Sequence, residues 1–192
     1  MKLILATRNA HKVREVSRVL APFGLDVEPL PDDVELPPEV GETFAENALP
    51  KARAAARALG RRAIADDSGI EAEALGGRPG VRSARYAGEH ATDAQNLAKL
   101  LAEAPAGSGL RYVCALAYVD PEAGERVFTG ESRGRLSVRP RGAGGFGYDP
   151  AFLPDDGPEG LTMAELKDAE KDAISHRGRA LRAFAAWYAE AG

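Results

Sequence analysis

Two adjacent aspartates followed by a serine and a glycine, Asp66, Asp67, Ser68 and Gly69, are the first place in this sequence to look for chemistry. They follow a short apolar run, residues 62–65, which predicts a strand that delivers the acids at its carboxyl end, where open α/β sheets hold ligands. Neighbouring carboxylates at a buried position are costly unless they bind a cation or exchange a proton. The string alone is more typical of a turn in which aspartates cap backbone groups. Its position favours a metal site or an activated water.

A second candidate is the polar turn between a strand predicted over residues 2–6 and a helix predicted over residues 11–20. Such a junction gathers backbone N–H groups at a helix N-terminus and favours phosphate binding, although a solvated helix entry is the simpler reading. The turn lacks the spacing of a Walker loop or a dinucleotide fingerprint. Its residues are Thr7, Arg8, Asn9, Ala10, His11 and Lys12. Lys12, and Lys51 in the next predicted helix, are the candidate phosphate cations.

Oxygen ligands for a metal are also present in the proline-rich segment that runs to Val40. It contains Asp32, Asp33, Glu35 and Glu39. Magnesium typically takes one or two carboxylates and leaves its other positions to water and substrate phosphates. One of the two aspartates together with an acid of this segment therefore predicts a Mg²⁺ site, with that aspartate also orienting or deprotonating an attacking water.

The glycine-rich loop over residues 140–150 carries aromatic side chains and an acid that suit a nucleobase. An aromatic ring there would stack on the base while Asp149 accepts hydrogen bonds from ring N–H groups, and a hairpin connection with buried aromatics is the alternative. The candidates are Phe146, Gly147, Tyr148 and Asp149. Further along, His176 and Arg177 open the last predicted helix, where cations oppose the helix dipole, so a ligand that is anionic or electronegative is expected nearby.

The remaining patterns predict alternating strands and helices, and hence an α/β fold. Thr43 with Glu46 forms a capping box before a helix over residues 44–59, and Thr92 with Gln95 forms another. Further strands are predicted at residues 25–27, 111–119, 126–129, 135–138 and 152–153. A short helix is predicted after Thr162 and a final amphipathic helix over residues 175–189.

Composition narrows the class of protein. The 192 residues carry a formal net charge of -4 with 28% charged residues, which disfavours a nucleic-acid partner. The opening residues are too short and too soon polar for a signal peptide, and no apolar run approaches membrane-spanning length, so no membrane partner is expected. The single cysteine, Cys114, excludes an intrachain disulfide and fits a cytoplasmic protein.

Several of these motifs, in this order, resemble one family: the non-canonical purine nucleoside triphosphate pyrophosphatases, also called inosine triphosphatases or dITP/XTP pyrophosphatases. The resemblance runs over nearly the whole chain. It rests on Leu5 to Asn9 with Lys12 and Glu15, Thr43 to Ala48 with Lys51, Ala65 to Gly69, Leu75 to Gly80, Ser83 to Tyr86, Gly144 to Pro150, Glu170 with Lys171, and Ser175 to Gly178.

The resemblance implies a single domain over residues 1–192 with two lobes: an elongated mixed sheet flanked by helices, with the active-site cleft between the lobes. It also implies a homodimer and Mg²⁺-dependent cleavage between the α and β phosphates to a nucleoside monophosphate and pyrophosphate. Asp67 matches the catalytic, metal-linked carboxylate, Asp66 is its neighbour, and Glu39 is a further metal ligand. The implied substrate contacts are Thr7, Arg8, Asn9, Ala10, His11, Lys12, Lys51, Ser68, Phe146, Gly147, Tyr148, Asp149, Lys171, His176 and Arg177.

Selectivity for ITP, dITP and XTP has a simple chemical basis. Hypoxanthine and xanthine present a 6-oxo acceptor where adenine presents a donor amine, so donors from Lys171, His176 or Arg177 would favour the oxo bases. One residue departs from the family pattern: Arg8 stands where the family usually has glycine, and it adds charge beside the phosphates. A pyrophosphatase for modified pyrimidine nucleotides and a non-catalytic nucleotide-binding or RNA-binding module are the alternatives.

Overall fold

The protein is described by a computed structural model that covers residues 2–191. Among these residues, six strands and five α-helices alternate as far as the fourth strand, in the α/β class that the sequence predicts. The strands are β1 (Lys2–Leu5), β2 (Asp26–Pro29), β3 (Ala63–Ala72), β4 (Gly109–Asp120), β5 (Gly124–Leu136) and β6 (Phe152–Pro154).

All six strands belong to one mixed sheet with the order β2-β1-β3-β4-β5-β6. Strand β1 is parallel to both of its neighbours, with Leu5 opposite Pro29 on one side and Ile64 on the other. Strand β6 is antiparallel to β5. The last four strands are neighbours in the sheet in their chain order.

Five α-helices flank the sheet, and several begin at the side chains that the sequence predicts. They are α1 (Ala10–Leu20), α2 (Phe44–Leu59), α3 (Asp93–Glu103), α4 (Asp168–Ile174) and α5 (His176–Ala191). The capping boxes at Thr43 and Thr92 are both formed, and Gly60 ends α2 in the left-handed conformation that glycine favours. No described helix has the length and apolar character needed to cross a lipid bilayer.

Two predictions of element boundaries are wrong, and one helix was not predicted. Strand β3 does not stop at Ala65 but continues through the two aspartates to Ala72, because side chains from elsewhere in the fold bind the acids and no turn is needed. Residues 126–129 and 135–138 are not two strands, since β5 runs unbroken to Leu136 with alternate side chains buried. Helix α4 was not predicted, because its N-cap residue is a lysine and not serine, threonine, aspartate or asparagine, although the Glu170 carboxylate accepts the Lys167 N–H at 2.8 Å.

The chain forms two compact units, which we describe separately. The first comprises the described residues of Met1–Asp67, Cys114–Gly130 and Arg177–Gly192, and the second comprises Ser68–Val113 and Glu131–His176. The core of the first unit packs α1 and α5 on the sheet, with Leu5, Leu116 and Phe184 fully buried. The core of the second unit packs Ile70, Leu100 and Phe152 with Tyr112 and Tyr148.

The capping box of α2 gives a first test of how the fold positions its polar residues. The Thr43 hydroxyl accepts the Glu46 N–H at 3.2 Å, and the Glu46 carboxylate accepts the Thr43 N–H at 3.1 Å. We expect Thr43→Ala to lower the free energy of unfolding by about 1 kcal/mol, measured by urea denaturation. The matched control is Thr129→Ala, an exposed position of β5, with an expected change below about 0.5 kcal/mol. Equal losses in both variants would contradict this role for the cap.

Candidate functional site

The first unit contains a buried network of charges centred on Asp66, in the middle of β3. The side chain is completely inaccessible to solvent. Its Oδ2 atom lies 3.0 Å from Lys12 Nζ and accepts two hydrogen bonds from the Arg177 guanidinium, at 3.0 and 3.1 Å. Arg177 in turn donates to Glu15 at 2.5 Å. Helices α1 and α5 are thereby tied to the same carboxylate of the sheet.

This network fixes the protonation states of its members. Burial acts to raise the pKa of Asp66, but Lys12, Arg177 and Lys51 outweigh it and hold that pKa well below its ordinary value. Burial likewise acts to lower the pKa of Arg177, while Asp66 and Glu15 raise it above the ordinary value. The Cys114 thiol lies 3.9 Å from Asp66, and burial followed by that negative charge raises its pKa to about 12. Asp66 is therefore a permanent carboxylate, and Cys114 is a neutral thiol.

Asp67, the next residue along β3, is in a different electrostatic environment. Burial raises the pKa of its carboxyl group and the charge of Glu39 adds to the effect, while Lys51, Lys12 and a hydrogen bond from Asn47 oppose it. The Asn47 amide donates to Asp67 Oδ2 at 3.0 Å. A carboxylate whose pKa is raised towards neutrality is suited to accept a proton. Of the two aspartates, Asp67 is the one equipped for proton transfer, and Asp66 is the fixed charge beside it.

Asn47 is a functional candidate that the sequence reading missed. Its Oδ1 accepts the Gly41 N–H at 2.7 Å while its amide group binds Asp67, so it links the loop before α2 to the acid. A Cβ on Gly41 would lie 2.9 Å from that oxygen and 2.5 Å from Glu46 Cβ, which explains a glycine there. The available signal was spacing: Asn47 and Lys51 are four residues apart and share one face of an alanine-rich helix.

The predicted cation Lys51 lies beside both aspartates. Its Nζ is 2.5 Å from Glu39 Oε1 and donates to the Asp66 carbonyl oxygen at 2.9 Å. Glu39 is thus brought from the proline-rich segment to the cluster, and its charge raises the pKa of Asp67. The structure assembles Asp66, Asp67, Lys12, Lys51 and Glu39 into one cluster, as the sequence predicts.

The donor atoms of this cluster fit a hard divalent cation. The second oxygen of Asp66, Oδ1, is buried and has no hydrogen-bond partner among residues 2–191, which is unusual for a buried polar atom. Asp67 and Glu39 add carboxylate oxygens nearby. Within the described part of the chain, no three His, Cys, Asp or Glu side chains form a ready-made metal centre. Carboxylate oxygens are hard donors, and the cluster offers them beside two lysine side chains.

The predicted phosphate turn has a defined local structure. Asn9 is the N-cap of α1: its Oδ1 accepts the N–H groups of His11 and Lys12, at 2.9 and 3.3 Å, and the Thr7 hydroxyl accepts the Asn9 N–H. Ala10 and His11 are exposed. Because the Asn9 oxygen already satisfies two N–H groups, the amide NH₂ of Asn9 is the part of its side chain suited to an anion.

Arg8 is placed differently from the prediction. Its guanidinium donates to backbone carbonyl oxygens of the loop that follows β2, at Leu30, Pro31 and Val34, with distances of 2.8, 2.8 and 2.9 Å. The side chain is thus committed to a loop of the protein. Lys12 is similarly engaged, since its ammonium pairs with Asp66.

The second unit contains a separate polar cluster around Asp149. Its Oδ2 accepts the Lys171 ammonium at 2.7 Å and the Phe146 N–H at 2.9 Å, and its Oδ1 accepts the Tyr112 hydroxyl at 3.2 Å. Lys171 Nζ lies 5.1 Å from the centre of the Phe146 ring. Asp149 and Lys171 are both almost fully buried. The structure therefore joins three of the predicted base-binding residues in one cluster, and it adds Tyr112, which was not predicted.

Glycines of the loop over residues 140–150 make this cluster possible. A Cβ on Gly145 would lie 2.1 Å from Asp149 Oδ2 and 3.0 Å from Lys171 Nζ, and Gly145 has φ +67°. The Gly147 N–H donates to Asp93 at 2.9 Å, and the buried Tyr148 hydroxyl donates to the Ser83 carbonyl at 2.7 Å. Tyr148 is thus a structural anchor of the loop.

The two basic residues that open α5 have different surroundings. The His176 ring stacks on Tyr112 with centroids 4.5 Å apart and planes 4° apart, so it belongs to the Asp149 cluster. Arg177 contacts Asp66 and Glu15 instead, and we replace its predicted base contact with a positioning role, because both sides of its guanidinium are engaged by acids. Ser68 is half-buried in β3, directly after Asp67.

Comparison with known proteins points to one family. The profile of the Ham1 family matches residues 3–187. A protein of Frankia alni named dITP/XTP pyrophosphatase is 51% identical, with 96% of each chain covered, and one of the same name from Geobacillus kaustophilus is 50% identical over 94% of this chain and 90% of its own. The solved structure of a HAM1 protein from Coxiella burnetii has a TM-score of 0.87 at 37% identity, covering 99% of each chain.

The contact between Asn47 and Asp67 gives a direct electrostatic test. The hydrogen bond favours the charged form of Asp67. We expect Asn47→Ala to raise the pKa of the Asp67 carboxyl group further, measured by a carbon-13 NMR titration with the signal assigned through Asp67→Asn. Asn96→Ala, which removes a buried asparagine that binds only backbone groups of the second unit, is the control and leaves the Asp67 titration unchanged. An unchanged or lower Asp67 pKa in Asn47→Ala would refute the assignment.

Proposed function

This chain belongs to the Ham1 family, and on that premise we propose that it hydrolyses non-canonical purine nucleoside triphosphates such as dITP, ITP and XTP to the nucleoside monophosphate and pyrophosphate. The observation that carries the proposal is the contrast between the adjacent aspartates of β3. One is a buried permanent carboxylate bound by Lys12 and Arg177, and the other has a raised pKa. Together with Lys51 they provide fixed positive charge and a proton acceptor in one cluster.

In this reaction the chain activates a water molecule for attack on the α phosphorus. Asp67 accepts a proton from the water as its oxygen bonds to phosphorus, and the bond from the α phosphorus to the bridging oxygen of the β phosphate breaks. Pyrophosphate leaves with the electron pair of that bond. Lys12 and Lys51 offset negative charge on the phosphates, and the Asn9 amide is suited to bind a phosphate oxygen.

Pyrophosphatases of this family are metal-dependent, and we propose magnesium as the metal. Asp67 and Glu39 would hold it, since both offer carboxylate oxygens beside Lys51. When bound, the ion supplies positive charge that neutralises developing charge on the phosphate oxygens. Asn47 and Lys51 orient the two proposed protein ligands, because each binds one of them directly.

Recognition of the base is assigned to the Asp149 cluster. Phe146 offers an aromatic face, and Lys171 and His176 offer donors that suit the 6-oxo group of hypoxanthine or xanthine. Adenine would place its amine against these donors and leave buried polar groups unmatched, at a cost of roughly 1–3 kcal/mol. Asp149 holds Lys171 in place and is itself a candidate acceptor for ring N–H groups.

On the resemblance alone, we also propose that the protein is a homodimer. We propose a cytoplasmic location because the single cysteine excludes an intrachain disulfide. The net charge of -4 supports the expectation that nucleic acid is not a partner.

The activity is tested by a substrate panel. We expect pyrophosphate release with Mg²⁺ to be faster for dITP and XTP than for the four standard deoxynucleotides or a modified pyrimidine triphosphate, and Asp67→Asn to reduce turnover of dITP at least about 100-fold. Asp26→Asn, an exposed acid of β2, is the matched control and retains activity. A preference for a standard or pyrimidine nucleotide would overturn the substrate class, and retained turnover in Asp67→Asn would overturn the role of Asp67.

Base selectivity is tested at Lys171. We expect Lys171→Met, which keeps the length of the side chain and removes its charge and donors, to reduce the ratio of kcat/KM for dITP over dATP by about tenfold. Lys99→Met is the control, because Lys99 binds a backbone carbonyl of the second unit outside the cluster. Thermal denaturation of both variants checks that they fold, because Lys171→Met removes the buried partner of Asp149. An unchanged ratio in a folded Lys171→Met protein would exclude Lys171 from base discrimination.

A further inference from the structure

Arg8 makes an unusual set of contacts for a residue beside a phosphate-binding turn. Its guanidinium reaches four backbone carbonyl oxygens in the segment 30–34: those of Leu30, Pro31 and Val34 at 2.8 to 2.9 Å, and that of Asp32 at 3.4 Å. The Asp32 carboxylate is a fifth acceptor at 3.3 Å. The Asp32 side chain is fully exposed, so this ion pair contributes little. Arg8 therefore holds the segment mainly through hydrogen bonds to its backbone carbonyl groups.

The segment needs such a partner because it has little hydrogen bonding of its own. Residues 30–42 contain no helix or strand, and Pro31, Pro37 and Pro38 have no N–H to donate. Several carbonyl groups of a segment like this must find donors outside it. The guanidinium presents several N–H groups in one rigid plane and can bind converging carbonyls at once, whereas a lysine ammonium cannot reproduce that geometry.

The same loop is attached to the cluster of acids at its other end. Glu39 pairs with Lys51 at 2.5 Å, and the Gly41 N–H donates to Asn47 at 2.7 Å. Between the two attachments, the side chain of Val34 is buried. Arg8 therefore binds the first part of the loop, and Lys51 and Asn47 bind its last part.

We propose that Arg8 is a positioning residue: it clamps the loop 30–39 by its carbonyl oxygens so that Glu39 is held at Lys51 beside Asp67, and it does not serve as a phosphate ligand. The inference rests on the proposed function for its effect on metal use, since Glu39 is the proposed metal ligand. The clamp itself is a property of the protein without substrate.

Amide hydrogen exchange of the metal-free and nucleotide-free protein tests the clamp independently of activity. The Arg8→Lys variant keeps the positive charge and loses the planar set of N–H donors. In this variant we expect amide hydrogen exchange in peptides covering residues 30–41 to accelerate about tenfold, the effect of losing a charge-assisted hydrogen bond. Asp32→Asn leaves exchange unchanged. Arg61→Lys is the matched control, because Arg61 is 43% exposed against 45% for Arg8 and pairs with a surface carboxylate, that of Glu28.

Steady-state kinetics then distinguishes a loop-positioning role of Arg8 from a direct contact of Arg8 with the substrate phosphates. For Arg8→Lys we expect the Mg²⁺ concentration for half-maximal activity to rise several-fold, with KM for dITP at saturating Mg²⁺ changing less than about twofold. Added guanidinium at constant ionic strength should restore metal affinity to Arg8→Ala and leave Arg61→Ala unaffected. Unchanged exchange in Arg8→Lys, or a raised KM with unchanged metal dependence, would overturn the proposal. If no nucleotide were turned over, the proposed function would fail while the exchange experiment still decided the clamp.

Discussion

The first unit depends on one electrostatic balance: a carboxylate with no access to solvent is kept charged by Lys12 and Arg177. Taking an isolated carboxylate out of water costs several kcal/mol, and removing one partner of a buried pair costs about 3–5 kcal/mol. The charge of Asp66 can persist in the middle of β3 only because a cation from α1 and another from α5 bind it. The strand, both helices and the turn before α1 are consequently held in one arrangement.

This balance also explains how two adjacent acids acquire different chemistry. Side chains of neighbouring strand residues point to opposite faces, so Asp66 and Asp67 meet different partners. On one face, full positive compensation makes Asp66 a fixed charge. On the other, burial and the proximity of Glu39 outweigh Lys51 and Asn47, and the pKa of Asp67 is raised. These surroundings, and not the residue type, give the two carboxyl groups their different pKa values.

The second unit solves a related problem with a different network. Lys171 and Asp149 are both almost fully buried, and their ion pair is supported by the Tyr112 hydroxyl and the Phe146 N–H. The glycine at 145 leaves no side chain between them. A buried pair of this kind is weak evidence for stability. The pair does hold the donors of Lys171 in a fixed place beside the Phe146 ring.

The sequence by itself determined the class of fold, both threonine capping boxes, the candidate acids and cations, and the family, because these depend on local patterns and on the order of motifs. It did not determine that β3 continues through the aspartates, that Arg177 binds Asp66, that Asn47 binds Asp67, or that Arg8 binds a loop. Those contacts join residues between 20 and 111 positions apart in the chain. Only the tertiary structure decides which charge meets which, since burial and proximity of distant residues set both protonation and hydrogen bonding.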